Sequence, residues 1–466
     1  MATLYFTSNA DSGNGTLRDV MTSASDGDRI EPDPSVFGTS GDITISLSSG
    51  LPLASVTVAG SANQRIILDR QSGGYFLRVT SSGYSIAFEY CDFANGRRTT
   101  SNESPIYIAS ARTTLTFLGC KFYNNVGAYS GFLRGISGAT GSSLTFNNCV
   151  AWNNTYTNSS YTASVFTFQS AANAVITLNG CTFDTDGSVP FLNPGSVGKN
   201  DCLFNGENDW CVDFDTVGFV DRTNHDYRLA LGSSYLTGGS LTGDDILGHL
   251  RTGSIGAYDG SWIVADAIVS SDTTVDYLEI SASRTLTLSG SDRILTVSKG
   301  VYFTSGGAAT SSTRGYIVLP TGASASALTL TNVVTCYSGA GASNLSATTT
   351  GISWSSIDST VSVVLELYSG SAWTTITQTS GTSYSTTLAE GAQIRLFDGV
   401  NFLTATVPVT PTPSGDVSPF WTIKRWAVVD TSGGTSTGAW DVNSWIVVSA
   451  SGSYSVNHWA LDPEVE

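Results

Sequence analysis

The chain has 466 residues, with 21 basic against 38 acidic side chains and a formal net charge of -17. Charged residues make up only 13% of the chain and glycines number 49, which excludes coiled coils and helical bundles and favours many short strands joined by turns. Such an acidic surface repels phosphate backbones and anionic lipid headgroups, so we expect neither nucleic acid nor a membrane surface as a partner.

The first predicted element is a short helix near the N-terminus. Thr16 is a suitable N-cap. The apolar residues that recur on one face of this helix are Leu17, Val20, Met21 and Ala24. An amphipathic helix before a series of strands is predicted to cap the open end of a stacked β structure. The residues before it have neither the basic nor the apolar region of a signal peptide, and no stretch of about 18 apolar residues predicts a transmembrane helix.

An internal repeat organises the next part of the chain. Similar segments surround Cys91, Cys120, Cys149, Cys181 and Cys202, and their spacing is 29, 29, 32 and 21 residues. Three residues before the cysteine, the first three copies have Phe88, Phe117 and Phe146. A period of this size is typical of a solenoid built from stacked coils. Each copy is predicted to form two short strands joined by a tight bend just before the cysteine.

In such a stack, equivalent residues of successive coils lie about 4.8 Å apart. The predicted structural ladders are Cys91, Cys120, Cys149 and Cys181 on one side of the bend and Phe88, Phe117 and Phe146 on the other. The residue after each cysteine is predicted to point outward. Asp92 would then lie beside Lys121 as an exposed ion pair, worth less than about 1 kcal/mol.

The seven cysteines have three possible roles. On an inward face, thiols in register behave as small buried hydrophobic groups. A metal site needs ligands at short spacing such as C-x-x-C, which the sequence does not contain. Disulfides along the stack are allowed by distance, but parallel side-chain directions do not suit the required torsion. We therefore predict free thiols, no metal and no cofactor.

Two segments resemble right-handed parallel β-helix repeat proteins, a group that includes bacterial surface proteins, polysaccharide lyases and phage fibre or tailspike proteins. The first segment runs from Ala10 to Ile30, and the second joins Asp226-Tyr227-Arg228-Leu229 to Ile255-Gly256-Ala257-Tyr258-Asp259, where Asp259 replaces the customary glutamate. This resemblance covers residues 1 to 262 and implies an all-β fold, a right-handed parallel β-helix with an N-terminal capping helix. It implies no particular activity, because the same scaffold carries enzymes and inert fibres.

After the β-helix, predicted to span residues 1–263, we predict small β-sandwich-like modules. Residues 264–338 have short alternating strands that suit a second solenoid-like stack or a sandwich. Residues 339–409, with Trp354 in the core, suit an immunoglobulin-like or fibronectin-like module. Residues 410–466, which begin within a proline-rich hinge at residues 408–415, are predicted to form a Trp-rich assembly or binding module.

Half of the ten tryptophans lie in that last module: Trp421, Trp426, Trp440, Trp445 and Trp459. So short a segment can hardly bury five indoles by itself. Two interpretations remain open. The indoles pack against another subunit or the preceding module, or they form a surface on which sugars stack.

The densest group of ionisable residues lies near the predicted final coil. Its members are Glu207, Asp209, Asp213, Asp215, Asp221, His225 and Asp226. They suit a solvated acidic loop, a cation site, or the carboxylates that cleave polysaccharides. The repeat alignment does not align acidic residues across neighbouring coils, and the three histidines lack the H-E-x-x-H spacing of zinc hydrolases, so the first interpretation is favoured.

Three functions are compatible with these features. The first is a non-enzymatic structural or adhesion protein, such as a phage virion fibre, spike or decoration subunit. The second is a polysaccharide depolymerase or lyase, and the third is a bacterial cell-surface adhesin or extracellular filament subunit. Expected partners are other virion or surface proteins, polysaccharide, and further copies of the chain, with a homotrimer implied by the resemblance to phage fibres. The expected location is the virion or the cell surface.

Overall fold

The computed structural model describes residues 1–71, 73–99, 103–157, 163–168, 173–185, 189–192, 196–205, 214–251, 253–264, 266–410, 428–429 and 435–436. The chain forms two units, Met1–Pro408 and Val409–Glu466. In the second unit the described residues are 409–410 and one antiparallel pair of strands, Val428–Val429 with Thr435–Ser436.

The predicted parallel β-helix is confirmed, and its coils have three main faces. Face A consists of Thr3–Phe6, Arg29–Pro32, Thr57–Ala59, Ser85–Glu89, Thr114–Leu118, Ser143–Asn147, Val175–Asn179 and Ser196–Asn200. Face B consists of Ile43–Ser46, Ile66–Asp69, Cys91–Ala94, Lys121–Tyr123, Val150–Trp152, Thr182–Phe183 and Leu203–Phe204. Face C consists of Leu77–Val79, Ile106–Ile108, Leu133–Gly135, Ala163–Phe168 and Val189–Leu192. A narrow strip of Arg97–Arg98, Val126–Gly127 and Thr155–Tyr156 lies between faces B and C along the chain.

The bend between faces A and B depends on residues that tolerate a left-handed backbone. The residue before each repeat cysteine has a positive φ: Tyr90, Gly119, Asn148, Gly180 and Asp201. Glycine, asparagine and aspartate, which occupy four of these five positions, adopt this conformation at low cost, and Tyr90 in the first copy is the exception. The bend turns the chain sharply, so both strands direct their alternate side chains into the same core.

Aromatic rings stack along the solenoid axis. Phe117 pairs in register with Phe88 and Phe146, and the ring centroids are 5.8 and 4.7 Å apart respectively. Phe93 and Phe122 from face B meet these rings edge-on. All five side chains are fully buried. Burying one such side chain contributes about 1.5–3 kcal/mol, so this column is a main source of solenoid stability.

The N-terminal helix, Leu17–Ser23, covers the first coil. Thr16 caps it, because its side-chain oxygen accepts a hydrogen bond from the Asp19 amide. Leu17, Val20 and Met21 are buried against the solenoid core. The other helices among the described residues are single turns, at Pro34–Phe37, Ser137–Ala139, Phe214–Val217 and Arg222–Asn224.

The repeat cysteines are free thiols stacked beside the phenylalanine column. Each thiol lies near a carbonyl oxygen of the preceding coil: Cys120 is 3.3 Å from Phe88, Cys149 is 3.6 Å from Phe117 and Cys181 is 3.4 Å from Phe146. A sulfur at this position is a weak hydrogen-bond donor to a buried acceptor. The thiols therefore have a local structural role at the bend.

We expect Cys91 and Cys336 to resist iodoacetamide in the native protein at about pH 8, with labelling at least about tenfold slower than in urea. Both side chains are fully buried, and burial raises the pKa of Cys91 well above its usual range and that of Cys336 to about 12. The reactive thiolate is therefore scarce. Peptide mapping by mass spectrometry measures each cysteine separately, and the same cysteines labelled in urea are the positive control. Equal labelling rates with and without urea would contradict this burial.

A second parallel stack follows the β-helix. Its strands are Trp262–Val264, Ile268–Val269, Thr273–Ile280, Thr285–Leu288, Arg293–Phe303, Gly307–Leu319 and Leu328–Tyr337. They pair in parallel around a separate apolar core that includes Leu278, Leu286 and Ile317. The sequence of residues 264–338 is compatible with a second solenoid-like stack or with a sandwich. The strands pair in parallel, as in the solenoid-like arrangement.

The sandwich module, residues 343–407, has two antiparallel sheets. One contains Ser343–Thr348, Gly351–Ser355 and Ser383–Ser385, and the other contains Trp373–Thr379, Val363–Tyr368, Gln393–Phe397 and Phe402–Thr406. Trp354 is buried in the shared core with Leu365 and Leu396. This is the sandwich-like module that the fold prediction places after the β-helix.

The prediction of an exposed Asp92–Lys121 pair is wrong. The two residues are paired in register, but Asp92 is only 4% exposed and its carboxylate accepts a hydrogen bond from Arg65 Nε at 2.8 Å. The reason is that a later part of the chain, residues 214–251 and 253–261, packs on face B; we call it the closing segment. Outward residues of face B, such as Val150 and Leu203, pack against it in a separate apolar cluster.

Candidate functional site

The acidic group predicted from the sequence is only partly described. Glu207, Asp209 and Asp213 lie outside the described residues, whereas Asp215, Asp221, His225 and Asp226 lie on the closing segment. Each of the three described carboxylates accepts a hydrogen bond from a neighbour in sequence. The pairs are Asp215 with Arg222, Asp221 with Asn224, and Asp226 with Arg228. The hydrogen bonds from Asn224 lower the pKa of Asp221. These carboxylates are therefore occupied within the segment itself.

Asp184 is the carboxylate that organises this region, and the sequence analysis missed it. Its side chain is 6% exposed and accepts hydrogen bonds from Asn205 Nδ2 at 2.9 Å, Arg222 Nε at 2.9 Å and the Tyr227 hydroxyl at 3.1 Å. Asp184 comes from a repeat coil, whereas Arg222 and Tyr227 come from the closing segment. In earlier coils the same repeat position is occupied by Ala94, Tyr123 and Trp152. The change to a carboxylate at Asp184 was the sequence signal that could have identified it.

An aromatic stack covers the same column of face B. Tyr123 and Trp152 lie on successive coils with ring centroids 4.7 Å apart and nearly parallel planes. His225 stacks on Trp152 at 5.6 Å, and Nδ1 of His225 is 3.3 Å from the Tyr227 hydroxyl. Burial raises the pKa of Tyr123 to about 12. The arrangement attaches the closing segment to the solenoid.

The closing segment also has two buried carboxylates, Asp245 and Asp259. Asp245 accepts hydrogen bonds from the amides of Leu247 and His249, both at 2.8 Å, and burial raises its pKa. Asp259 is fully buried and lies 3.2 Å from Lys299 Nζ in the second stack. Both carboxylates have a structural role, because they hold the turns of the segment and connect it to the next module.

The same junction contains a compact group of aromatic rings. The Trp262 ring stacks on Tyr277 at 4.5 Å, and His249 stacks on the same tyrosine at 4.5 Å. Arg228 lies over Trp262 at 4.6 Å, while the Tyr302 hydroxyl is 2.6 Å from His249 Nε2. Trp262 and Tyr277 are almost fully buried. This group packs the β-helix against the second stack.

A different surface has the features of a binding site. It lies on face C and beside it, and we call it the arginine–tyrosine surface. It consists of Tyr75, Arg78, Arg98, Glu103, Tyr107, Tyr129 and Arg134. Arg78, Tyr107 and Arg134 pair in register on three successive coils, and the alternate residues of these strands face the core. The three side chains therefore form an outward column.

Guanidinium groups lie against tyrosine rings throughout this surface. Arg98 is 4.6 Å from the centre of the Tyr75 ring, and Arg78 is 5.7 Å from the same ring and 5.9 Å from that of Tyr107. Farther along the axis, Arg134 lies 3.8 Å from the centre of the Tyr129 ring. Stacking on a ring orients a guanidinium and leaves the N–H groups at its edge able to donate.

The Glu103 carboxylate pairs with two arginines of this surface. Glu103, whose side chain is 8% exposed, accepts a hydrogen bond from Arg98 Nε at 2.9 Å and lies 3.6 Å from an Arg78 nitrogen. The Arg78 side chain is 52% exposed. Two guanidinium groups, those of Arg78 and Arg98, thus share the Glu103 carboxylate, and Arg134 is buried farther along the column.

The sequence analysis did not identify this surface. Its alignment followed the cysteine segments, which report on faces A and B. The outward residues of face C recur at 29 and 27 residues, from Arg78 to Tyr107 to Arg134, and they change residue type from coil to coil. That spacing was the sequence signal that could have identified the outward column of face C.

The five tryptophans predicted as a binding or assembly group, Trp421, Trp426, Trp440, Trp445 and Trp459, lie outside the described residues. Among the described residues, no helix is both long enough and apolar enough to cross a membrane.

The fold and the surfaces above define a parallel β-solenoid with two smaller β modules. Comparison with protein-family models, with curated proteins and with solved structures found no match to this chain. The functional argument therefore depends on the chemistry of the surfaces themselves.

Proposed function

We propose that this chain is a non-enzymatic structural or adhesion protein that presents a binding surface on a rigid solenoid. The proposed setting is a phage virion, as a fibre, spike or decoration subunit, with further copies of the chain and other virion proteins as assembly partners. A homotrimer is the proposed oligomer, on the resemblance of the sequence to phage fibres.

One observation carries the proposal. The described carboxylates of the acidic group, Asp215, Asp221 and Asp226, accept hydrogen bonds from residues of the closing segment itself. The repeat-coil carboxylate Asp184 attaches that segment to face B through Arg222 and Tyr227. Cleavage of a polysaccharide needs paired carboxylates on either side of the scissile bond. A continuous hydrophobic core and regular lateral faces favour a scaffold, and the arginine–tyrosine surface supplies a place where a ligand can bind.

We expect the purified full-length chain to release no reducing ends and no unsaturated products from a panel of neutral and acidic polysaccharides. Reducing-end assays and ultraviolet absorbance measure the two kinds of product. Asp215→Ala and Asp221→Ala are the matched variants, because both carboxylates are exposed. Product release by the parent chain that is lost in Asp215→Ala and retained in Asp221→Ala would contradict the proposal and support a depolymerase.

The proposed setting has its own test. Antibody labelling and electron microscopy of the source particles and cells should place the protein on an assembled particle or an external surface. Recovery only as unassembled protein in the cytosolic fraction would overturn the virion assignment.

A further inference from the structure

We propose that a covalent amide bond forms between the Lys299 amine and the Asp259 carboxyl group and cross-links the closing segment to the second stack. This inference goes beyond the proposed function and does not depend on it. Asp259 lies near the end of the closing segment, and Lys299 lies 40 residues later, on the strand Arg293–Phe303. A covalent link that closes a long ring of chain restricts the unfolded state, as a disulfide does.

The two groups that react in this proposal are already in contact. Lys299 Nζ is 3.2 Å from Asp259 Oδ2, and the Asp259 side chain is completely buried. The Lys299 side chain is 23% exposed, which gives a released water molecule a path to solvent. Holding an amine against a carboxyl group in one geometry removes the entropic cost of bringing the two together, which is a large part of the barrier to their reaction.

A second carboxylate contacts the same amine. Asp276 Oδ1 is 3.4 Å from Lys299 Nζ. Hydrogen bonds from the Ser261 amide at 2.8 Å and the Ser298 hydroxyl at 3.1 Å hold the Asp276 side chain in place. A carboxylate beside a reacting amine can accept a proton from the nitrogen and deliver it to a leaving oxygen. Asp276 is therefore the catalytic residue of the proposal.

The other oxygen of Asp259 has a hydrogen-bond donor suited to a tetrahedral intermediate. The Ser254 amide donates to Asp259 Oδ1 at 3.1 Å. When the nitrogen adds to the carboxyl carbon, negative charge develops on this oxygen, and a fixed N–H group stabilises that charge. The two oxygens of Asp259 thus have different partners, because Oδ1 faces the amide donor and Oδ2 faces the amine.

Aromatic rings and a glycine enclose the site. Tyr277 and Trp262 are 4% and 2% exposed, and Lys299 Nζ lies 5.5 Å from the centre of the Tyr277 ring. Gly260 permits the close packing, since a Cβ at this position would lie 2.9 Å from Tyr277 Cε2 and 3.0 Å from Asp276 Cβ. Exclusion of water strengthens the electrostatic interactions of the site and limits side reactions.

The reaction is a condensation whose atoms balance without an added reagent. One proton moves from the Lys299 ammonium to Asp259 Oδ2, which removes both charges of the buried pair. The Nζ lone pair then forms a bond to Cγ of Asp259. Asp276 takes a proton from the nitrogen and transfers it to Oδ2, and the Cγ–Oδ2 bond breaks with release of water. An ammonium and a carboxylate are converted into an amide and one water molecule, and Asp276 ends as a carboxylate.

The test is mass spectrometry of the purified full-length chain under denaturing conditions. We expect an intact mass that is lower by one water molecule than the mass calculated for the linear chain. Trypsin does not cleave after a lysine whose side chain is acylated, so digestion should give one branched peptide that joins residues 252–284 to residues 294–314. Separate peptides of residues 294–299 and 300–314, with no branched product, would overturn the inference.

Three variants locate the chemistry. Lys299→Arg keeps the positive charge but has no primary amine, so the branched peptide should be absent. Asp276→Asn should lower the cross-linked fraction by at least about tenfold, because it removes the proton acceptor. Lys199→Arg changes an exposed lysine on face A and is the matched control, which should be cross-linked like the parent chain.

Circular dichroism should show the same β structure in the variants and the parent chain. Full cross-linking of Asp276→Asn would overturn the role assigned to that carboxylate. Loss of the branched peptide in Lys199→Arg would overturn the assignment to Lys299.

A second reaction at Asp259 also releases one water molecule. The backbone nitrogen of Gly260 can attack the same carboxyl carbon and form a cyclic succinimide. A mass loss confined to the peptide of residues 252–284, with normal cleavage after Lys299, would identify that product and overturn the cross-link. Retention of the mass loss in Lys299→Arg would overturn it as well. Neither result would contradict the scaffold proposal, because that proposal does not use the bond.

Discussion

Phe117→Ala should lower the free energy of unfolding of the β-helix by about 3–5 kcal/mol. The Phe117 ring is fully buried and contacts rings of its own coil and of both neighbours. These rings belong to Phe88, Phe93, Phe122, Phe132 and Phe146. Truncation removes the transfer free energy of the ring and leaves a cavity that a rigid stack cannot close by collapsing. Urea denaturation followed by far-ultraviolet circular dichroism measures the change.

The matched control for this variant is Thr116→Ala on the same strand. Thr116 pairs with Ala87 and Thr145 in the neighbouring coils and is partly exposed, so its truncation should change stability by less than about 0.5 kcal/mol. Phe117→Leu should have a smaller effect than Phe117→Ala, because it retains much of the buried volume. If Phe117→Ala and Thr116→Ala lower the free energy of unfolding equally, the description of a continuous aromatic core is wrong.

Glu366→Ala should destabilise the contact between the second stack and the sandwich module by about 3–5 kcal/mol. Glu366 is fully buried in the sandwich module, and its carboxylate accepts hydrogen bonds from Arg314 Nε at 2.7 Å, Arg395 Nε at 2.6 Å and the Tyr316 hydroxyl at 2.6 Å. Arg314 and Tyr316 belong to the second stack, and Arg395 also pairs with Asp292 there, at 2.7 Å. Removal of the carboxylate leaves two guanidinium groups without their central counterion in a region of low polarity.

Thermal denaturation and limited proteolysis near residues 338–342 measure this effect. The matched control is Arg284→Ala, which breaks an ion pair whose two side chains are 59% and 57% exposed and should change stability by less than about 1 kcal/mol. Glu366→Gln keeps the shape and loses the charge, so its effect should be smaller than that of Glu366→Ala. Unchanged denaturation and proteolysis in Glu366→Ala would contradict a structural role for the buried carboxylate.

The candidate sites were less accessible to sequence reasoning than the fold. The acidic group could be found by its density, and Asp215 and Asp226 pair with nearby arginines of the closing segment. The packing of that segment on face B could be seen only in the structure. Asp184 was missed because it occupies an outward repeat position, where residue type changes from coil to coil. The arginine–tyrosine surface was missed for the same reason, since Arg78, Tyr107 and Arg134 share a position without sharing a chemistry.

Local periodicity was enough to determine the stacked architecture of this protein. An inward position must be apolar in every coil, so the recurrence of Phe88, Phe117 and Phe146, together with bend residues before each cysteine, predicts both the strands and their register. The helix capped by Thr16 is equally local, because its signals lie within one turn.

Only the tertiary structure decided which outward residues are covered and which face solvent. Arg251 bonds Asn148 at 2.7 Å across 103 residues of sequence, and Asp92 is buried because the closing segment lies over it. An outward position has no required residue type, so its burial and charge partners depend on which distant segment packs there. Arg78 remains accessible on face C, whereas the equally polar Asp184 on face B is enclosed.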